Sequence, residues 1–297
     1  MLKQSKGQTI ACYLMISTMI IGFFVFTIYP VMWNMRYAFY DFDGAVEKFI
    51  GIDNFKRIFT SDVQYWKSIL NAIVIAYGKL IVEIPLALIC AVLLGRKTKF
   101  PGFFRAVYFL PTVIGVSVAA TIFSKIFATY AGILNDLLTA SRIVSSPVNW
   151  FGNKWTAIFV IMVESVWANF GTNVLFFMAG VQGISKDYYE AADIDGATPV
   201  AQFFHITLPL LKPITRTILL LAMTEGIKLL DSVMLLTNGG PGGTTDVVML
   251  YMYKYFFTTD TSAQIGYASA LGIVTSVILC IISLVYMYLS KNFESNN

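Results

Sequence analysis

Six long apolar segments dominate the pattern of hydrophobic and polar positions along the chain. Each is long enough for a helix to cross about 30 Å of hydrocarbon at about 1.5 Å per residue. The apolar residues run in blocks, without the alternation typical of transmembrane barrel strands. The pattern therefore predicts an all-α polytopic membrane protein with six transmembrane helices. The segments are Ile10–Trp33, Ser68–Leu94, Phe103–Ile126, Thr156–Met178, Ile214–Leu236 and Gly266–Leu289.

The composition supports this class and excludes others. Of the 297 residues, 57% are hydrophobic and only 13% are charged, whereas an ordinary globular domain carries about 25% charged residues. So few charges are too few to cover a soluble surface of this size. Soluble enzymes, nucleic-acid-binding proteins and disordered scaffolds are therefore excluded.

No catalytic or metal-binding motif is found in the sequence. Cys12, Cys90 and Cys280 lie in apolar segments without CxxC spacing, and no HExxH or GxSxG sequence occurs in any span. A GxxxxGK[ST] phosphate loop is missing as well. We therefore expect a non-enzymatic chain that binds no metal, cofactor or nucleic acid, so that uphill transport would use energy from a partner or an ion gradient.

The distribution of Lys and Arg predicts the orientation, because cytoplasmic loops are richer in these residues. Both termini are predicted to be cytoplasmic, the loop after the first segment to face outward, and residues 180–213 to face the cytoplasm. We read the first segment as a retained anchor because it is too long for a signal-peptide core. The basic residues on the predicted cytoplasmic side are Lys3, Lys6, Arg96, Lys97, Lys99, Arg105, Lys186, Lys212, Arg216 and Lys291.

Residues 185–209 predict an elbow of two short helices, which we call the elbow throughout. Ser185 is a suitable helix cap, and Gly196 is a suitable helix stop because glycine tolerates positive φ. Thr198 then caps a second helix that has Pro199 at its first position, and Pro209 is expected to close that helix. A polar connector is one interpretation. The mixture of small and aromatic residues favours a docking element, with Tyr188, Tyr189, Phe203 and Phe204 expected to be exposed.

The spacing within the elbow resembles a known motif. Glu190-Ala191-Ala192, Gly196 and Leu208-Pro209 are similar to the EAA loop of the membrane-spanning subunits of bacterial ABC importers. The resemblance implies a type I ABC importer permease fold, with the elbow as the coupling helix that sits in a cleft of a cytoplasmic ATPase subunit. The residues implied in this coupling are Glu190, Ala191, Ala192, Asp195, Gly196, Leu208 and Pro209.

Further motifs resemble the branch of this family that imports carbohydrates and glycerol phosphate. The resemblance implies a carbohydrate substrate, with an oligosaccharide preferred and a glycerol-phosphate-type substrate as the alternative. It also implies a second homologous permease subunit, two cytoplasmic ATPase subunits that bind ATP and Mg, an extracytoplasmic solute-binding protein, and a bacterial cytoplasmic membrane. The expected domains are residues 1–67, an N-terminal helix with an outer loop, and residues 68–290, a five-helix core. The motifs are Phe109–Pro111, Gly132–Asn135, Asn149–Phe151, Met178–Gln182, Leu236–Thr245 and Ile265–Ala270.

Ionisable residues inside the predicted spans are candidates for a polar pathway, because such groups usually face a bundle interior or a water-filled cavity. On a continuous fifth helix, Glu225, Lys228 and Asp231 would share one face. Ion pairing within the bundle, such as Lys79 with Glu83, is the structural alternative, and coupling to protons or cations in a secondary transporter is the functional one. The pathway candidates are Glu83, Glu164, Asn173 and Asp231.

The sequence Asn238-Gly239-Gly240-Pro241 predicts a tight turn after the fifth span. A plain turn is one interpretation. The family resemblance implies the other, a loop at the cavity mouth where the solute-binding protein docks.

Overall fold

The computed structural model describes residues 6–95, 101–257 and 263–295. The described part of the chain begins with a nearly continuous apolar helix whose side chains are mostly exposed. A π-helical turn, Phe24–Ile28, joins its two parts, α1 (Lys6–Phe23) and α2 (Tyr29–Tyr37). An apolar surface of this kind is stable in contact with lipid or another apolar helix.

A short hairpin follows, which the all-α prediction missed. Strands β1 (Tyr40–Phe42) and β2 (Glu47–Phe49) pair antiparallel around Asp43-Gly44, a dipeptide typical of hairpin turns. The Asp43 carboxylate accepts hydrogen bonds from the backbone N–H groups of Ala45 and Val46 at 2.9 and 2.8 Å. These bonds favour the ionised form and lower the pKa of Asp43 below its ordinary value.

The remaining helices follow in chain order. Helix α4 contains Pro85 without a break, and α5 meets α6 at an angle of 94°. The predicted third span is therefore a broken helix. The bounds are α3 (Asp53–Thr60), α4 (Val63–Gly95), α5 (Pro101–Val113), α6 (Val116–Ile126), α7 (Ile133–Ala140), α8 (Lys154–Gln182), α9 (Lys186–Ile194), α10 (Pro199–Gln202), α11 (Leu208–Leu210), α12 (Lys212–Ile227), α13 (Asp231–Leu236), α14 (Val248–Phe257) and α15 (Ile265–Ser295).

Four helices are long and apolar enough to cross a membrane, and the number rises to six if each of two bent helix pairs forms one span. One pair is α5 with α6. The other, bent by 66°, joins Pro199–Leu210 to α12. Six spans and cytoplasmic termini remain predictions, and Lys3, Arg96, Lys97 and Lys99 of the orientation argument lie outside the described residues.

The described contacts divide the chain into two compact units, Met1–Val63 with Met252–Ile278, and Gln64–Tyr251 with Leu279–Asn297. The second unit has an apolar core built from α4, α8 and α12, with Ala87, Val174, Phe177 and Leu211 buried. Glycines allow these helices to approach closely. A Cβ atom on Gly226 of α12 would lie 2.8 Å from the Cβ atom of Ala76 on α4, which is too close for a real contact.

Candidate functional site

The elbow has the caps that its sequence predicts. The Ser185 hydroxyl accepts a hydrogen bond from the Asp187 N–H at 3.3 Å, and Thr198 caps Ala201 in the same way at 3.3 Å. Gly196 has φ +75°, the left-handed conformation that glycine adopts at a helix end without steric cost. One prediction is wrong. The second arm continues helically through Pro209 to Leu210, and the chain bends at Leu211.

Side-chain hydrogen bonds tie the two arms of the elbow together. Gln202 Nε2 donates to Asp193 Oδ1 at 2.6 Å, and the hydroxyls of Tyr189 and Thr207 lie 2.8 Å apart. Because Gln202 and Thr207 are themselves buried, these bonds hold the arms at a fixed angle. The elbow is therefore a connected unit rather than a loose connector.

The outer surface of the elbow carries exposed apolar side chains. Tyr188 and Phe204 are exposed as predicted, whereas Tyr189 and Phe203 are half-buried. Ile194 is 87% exposed, although it lies on a segment that is predicted to face water. The exposed members of the elbow also include Glu190, Ala191, Asp195, Gly196, Val200 and Pro209, while Ala192 and Leu208 are half-buried.

Two of the pathway candidates, Glu83 and Asn173, belong to a buried polar cluster on α4 and α8. Asn173 Nδ2 donates to Glu83 Oε1 at 2.5 Å, and Lys79 Nζ lies 3.8 Å from Glu83 Oε2. Lys79 Nζ also lies 3.3 Å from the Ser165 hydroxyl, to which it donates. The intrahelical Lys79–Glu83 pair of the structural alternative is therefore present.

Glu164 on α8 is fully buried beside this cluster. Within the described residues, neither of its carboxylate oxygens has a partner at hydrogen-bonding geometry. The Ser232 hydroxyl and the Lys79 ammonium are its polar neighbours. In this conformation Glu83, Glu164 and Asn173 face the interior of the chain rather than an open surface.

The fourth candidate, Asp231, lies at a break in the predicted fifth span. Helix α12 ends at Ile227, residues 228–230 are not helical, and α13 begins at Asp231. The prediction that Glu225, Lys228 and Asp231 share a face of one continuous helix is therefore wrong. All three side chains are nevertheless exposed, and we call residues 225–231 the α12–α13 wall.

The turn after α13 is confirmed and is tightly held. Asn238, Gly239, Gly242 and Gly243 all have positive φ, and the Gly240–Pro241 peptide is cis. Asn71 Nδ2 donates to the carbonyl oxygens of Thr244 and Asp246 at 2.9 and 2.8 Å, and Gln64 Nε2 donates to that of Gly243 at 2.7 Å. Asn238 is exposed, Gly239 is buried, and Gly240 and Pro241 are half-buried.

Comparison with known proteins places this architecture in a family. Residues 83–295 match the family model described as the binding-protein-dependent transport system inner membrane component. The chain belongs to this family. The predicted resemblance is thereby confirmed, and the chain is a multi-pass transmembrane permease of the ABC transporter class.

Curated relatives in the binding-protein-dependent family match over nearly their whole length. The arabinooligosaccharides transport system permease protein of Bacillus subtilis is 31% identical, over 96% of this chain and 90% of the relative. The trehalose/maltose transport system permease protein of Thermococcus litoralis is 32% identical, over 94% of this chain and 93% of the relative.

Solved structures show the same fold. The crystal structure of a bacterial ABC transporter involved in the import of the acidic polysaccharide alginate contains a chain with a TM-score of 0.83 at 23% identity, with 96% of both chains covered. A second structure of the alginate transporter, in complex with an alginate pentasaccharide-bound periplasmic protein, gives a TM-score of 0.83 at 22% identity, covering 97% of this chain and 96% of that one.

Several residues that shape the site of this family member could not be predicted from the sequence. Ile194 reads as an ordinary apolar residue, and the Gln202–Asp193 bond has no sequence signal beyond two polar residues in neighbouring helices. Gly226 gives a partial signal, because a glycine inside a predicted helix often marks close packing. The role of Ser165 beside Lys79 depends on contacts between distant parts of the chain.

Proposed function

We propose that this permease is a transmembrane subunit of an importer that brings an oligosaccharide into the cytoplasm by alternating access, driven by ATP hydrolysis on partner subunits. The observation that carries the proposal is the braced elbow with its exposed apolar surface, centred on Ile194. Exposed apolar side chains on a rigid, water-facing element are typical of a docking site. The relatives named for arabinooligosaccharides and for trehalose/maltose support the substrate class.

Membership of the binding-protein-dependent family supports the proposed assembly. A second homologous permease completes the membrane part, and two cytoplasmic ATPase subunits, which bind ATP and Mg, take up the elbows. An extracytoplasmic solute-binding protein delivers the substrate, with Asn238, Gly239, Gly240 and Pro241 proposed as its docking loop. The proposed location is a bacterial cytoplasmic membrane.

The elbow is suited to passing movement into the membrane. Phe203 and Leu208 pack against the buried core of the second unit, which includes Leu211 and Ile218 of the adjoining segment. Because Gln202 and Asp193 brace the two arms, a push on α9 displaces the second arm with it. We propose that this displacement reaches α12 and changes the access to the α12–α13 wall.

The wall is the proposed lining of the substrate pathway. Non-helical backbone within a span is tolerated where it is buried in protein or lines a water-filled cavity, and residues 228–230 are partly exposed. The adjoining carboxylates of Glu225 and Asp231 accept hydrogen bonds from sugar hydroxyls, and Lys228 donates them. Glu83, Glu164 and Asn173 stay candidates that would need a conformational change to reach substrate.

The docking role is tested with two matched substitutions of highly exposed residues, one in the elbow and one outside it, and with a charge reversal at Glu190. Ile194→Asp is expected to abolish co-purification of the ATPase subunit, because a carboxylate replaces the apolar contact. Glu190→Arg is expected to weaken the same complex. Tyr130→Asp, at a position that is 85% exposed but outside the elbow, should leave the complex intact.

ATP-dependent uptake into membrane vesicles is the second measurement. Uptake should fall in the Ile194→Asp protein in parallel with the loss of the ATPase, while the thermal stability of the chain is unchanged. Uptake that continues in the absence of any ATPase chain would overturn the proposal and favour an ion-coupled transporter.

A further inference from the structure

The α12–α13 wall carries one cation between two carboxylates, and all three side chains are exposed. Resting on the proposed function, we infer that this wall selects saccharides that carry no phosphate or carboxylate group. A protonated amine on the saccharide strengthens binding. Glycerol phosphate, the alternative substrate, carries a phosphate group and is therefore rejected by this wall.

The charges of the wall add up to a negative surface. Lys228 follows Glu225 by three residues and precedes Asp231 by three residues, so its positive charge is offset on both sides. Lys228 also occupies the cap position at the C-terminus of the 16-residue helix α12. The N-terminus of α13 at Asp231 offsets the partial negative charge of this helix end, so the side chains set the sign of the charge on the wall.

Among the described residues, the buried layer behind the wall supplies no compensating cation. Lys79 is already engaged by Glu83 and by the Ser165 hydroxyl. Glu83 lies close enough to Glu225 for the two side chains to interact electrostatically. Because Lys79 is engaged in this way, no cation in the described part of this layer is free to attract an anion to the wall.

Anion recognition in proteins normally uses a different set of groups. Phosphates and carboxylates are bound by arginine forks, by pairs of cations, or by several backbone N–H groups at a helix N-terminus. Residues 225–231 contain no arginine and one lysine. By contrast, Glu225 and Asp231 accept hydrogen bonds from hydroxyl and ammonium groups alike, so neutral and amine-bearing saccharides are accommodated.

The sign of the electrostatic potential at the wall is measured with charged thiol reagents on the assembled transporter. Leu229, between Lys228 and Asp231, is replaced by cysteine after Cys12, Cys90 and Cys280 are changed to alanine. The probes are the trimethylammonium-ethyl and the sulfonatoethyl methanethiosulfonates, with each rate divided by the rate for free glutathione. We expect the cationic reagent to react about tenfold faster than the anionic one.

Matched charge changes then locate the source of the potential. Glu225→Gln and Asp231→Asn should each lower the cation-to-anion rate ratio, and Lys228→Gln should raise it. A ratio at or below one in the Leu229→Cys protein overturns the inference. Failure of both reagents to react also overturns it, because the wall would then not line an aqueous cavity.

Uptake by the intact transporter separates the charge inference from the proposed function. A neutral oligosaccharide, its amino-sugar analogue and its uronic-acid analogue of equal length are compared, together with glycerol phosphate. We expect uptake of the neutral and amino forms and at least a tenfold lower kcat/KM for both anions. Preferred uptake of an anion overturns the charge inference alone, whereas absence of ATP-dependent uptake for every saccharide overturns the proposed function.

Discussion

Asn173 and Glu83 form a short polar contact between two predicted spans of the second unit, at 2.5 Å between Nδ2 and Oε1. Both side chains are buried, so neither can replace its partner with bulk water. A buried acceptor that loses its donor costs about 1–3 kcal/mol. At the scale of single residues, the contact therefore holds α4 against α8, whatever further part Asn173 has in transport.

Asn173→Leu is expected to lower the thermal unfolding midpoint of the purified permease, because Glu83 Oε1 loses its amide donor. Asn169→Leu is the matched control, since half-buried Asn169 donates mainly to the Ser165 carbonyl four residues earlier, at 2.9 Å. Its midpoint should fall by less. Equal midpoints for the Asn173→Leu and the unmodified proteins, with uptake reduced, would instead place Asn173 at the substrate.

The elbow shows how far the sequence of a short segment determines where its helices begin and end. Ser185, Gly196, Thr198 and Pro199 lie at the ends of its helices and act on backbone groups within a few residues, so its two arms could be predicted. The break in the helix after Ile227 could not be predicted from the sequence. No proline occurs in residues 225–231, and the close approach of α12 to α4 at Gly226 involves residues far apart in the chain.

Gly196→Ala is expected to loosen the C-terminal end of α9, because φ +75° costs a residue with a Cβ atom about 1–2 kcal/mol. Hydrogen exchange of the amides in residues 191–197 should accelerate about tenfold. Gly196→Asn is the control at the same position, since asparagine tolerates this conformation better and should have a smaller effect. Unchanged exchange in the alanine variant would contradict a local role for the glycine.

Across the whole molecule, the orientation in the membrane decides which surface meets which partner. The elbow and the turn after α13, residues 238–246, are predicted to lie on opposite sides of the bilayer, and this depends on the bias of Lys and Arg between loops. Ile194 and Thr244 are exposed on these two segments. Their accessibility therefore reports the topology directly.

In a protein without its native cysteines, Ile194→Cys should react with a membrane-impermeant maleimide only in inside-out vesicles. Thr244→Cys should react only in right-side-out vesicles. Labelling of Ile194→Cys from the outside would reverse the predicted orientation and remove the elbow from the reach of a cytoplasmic ATPase. Labelling of each cysteine in both preparations would show that the vesicles are not sealed.

The sequence by itself determined the membrane class, the apolar segments and the elbow, because these depend on the thickness of the bilayer and on interactions between near neighbours. The family resemblance was carried by the same local motifs. Only the tertiary structure decided which charges are buried and which are exposed. Asn173 and Glu83 lie 90 positions apart, and no pattern of neighbours encodes their contact. The structure also shows that α12 ends at Ile227 and that Glu225, Lys228 and Asp231 are exposed on the wall.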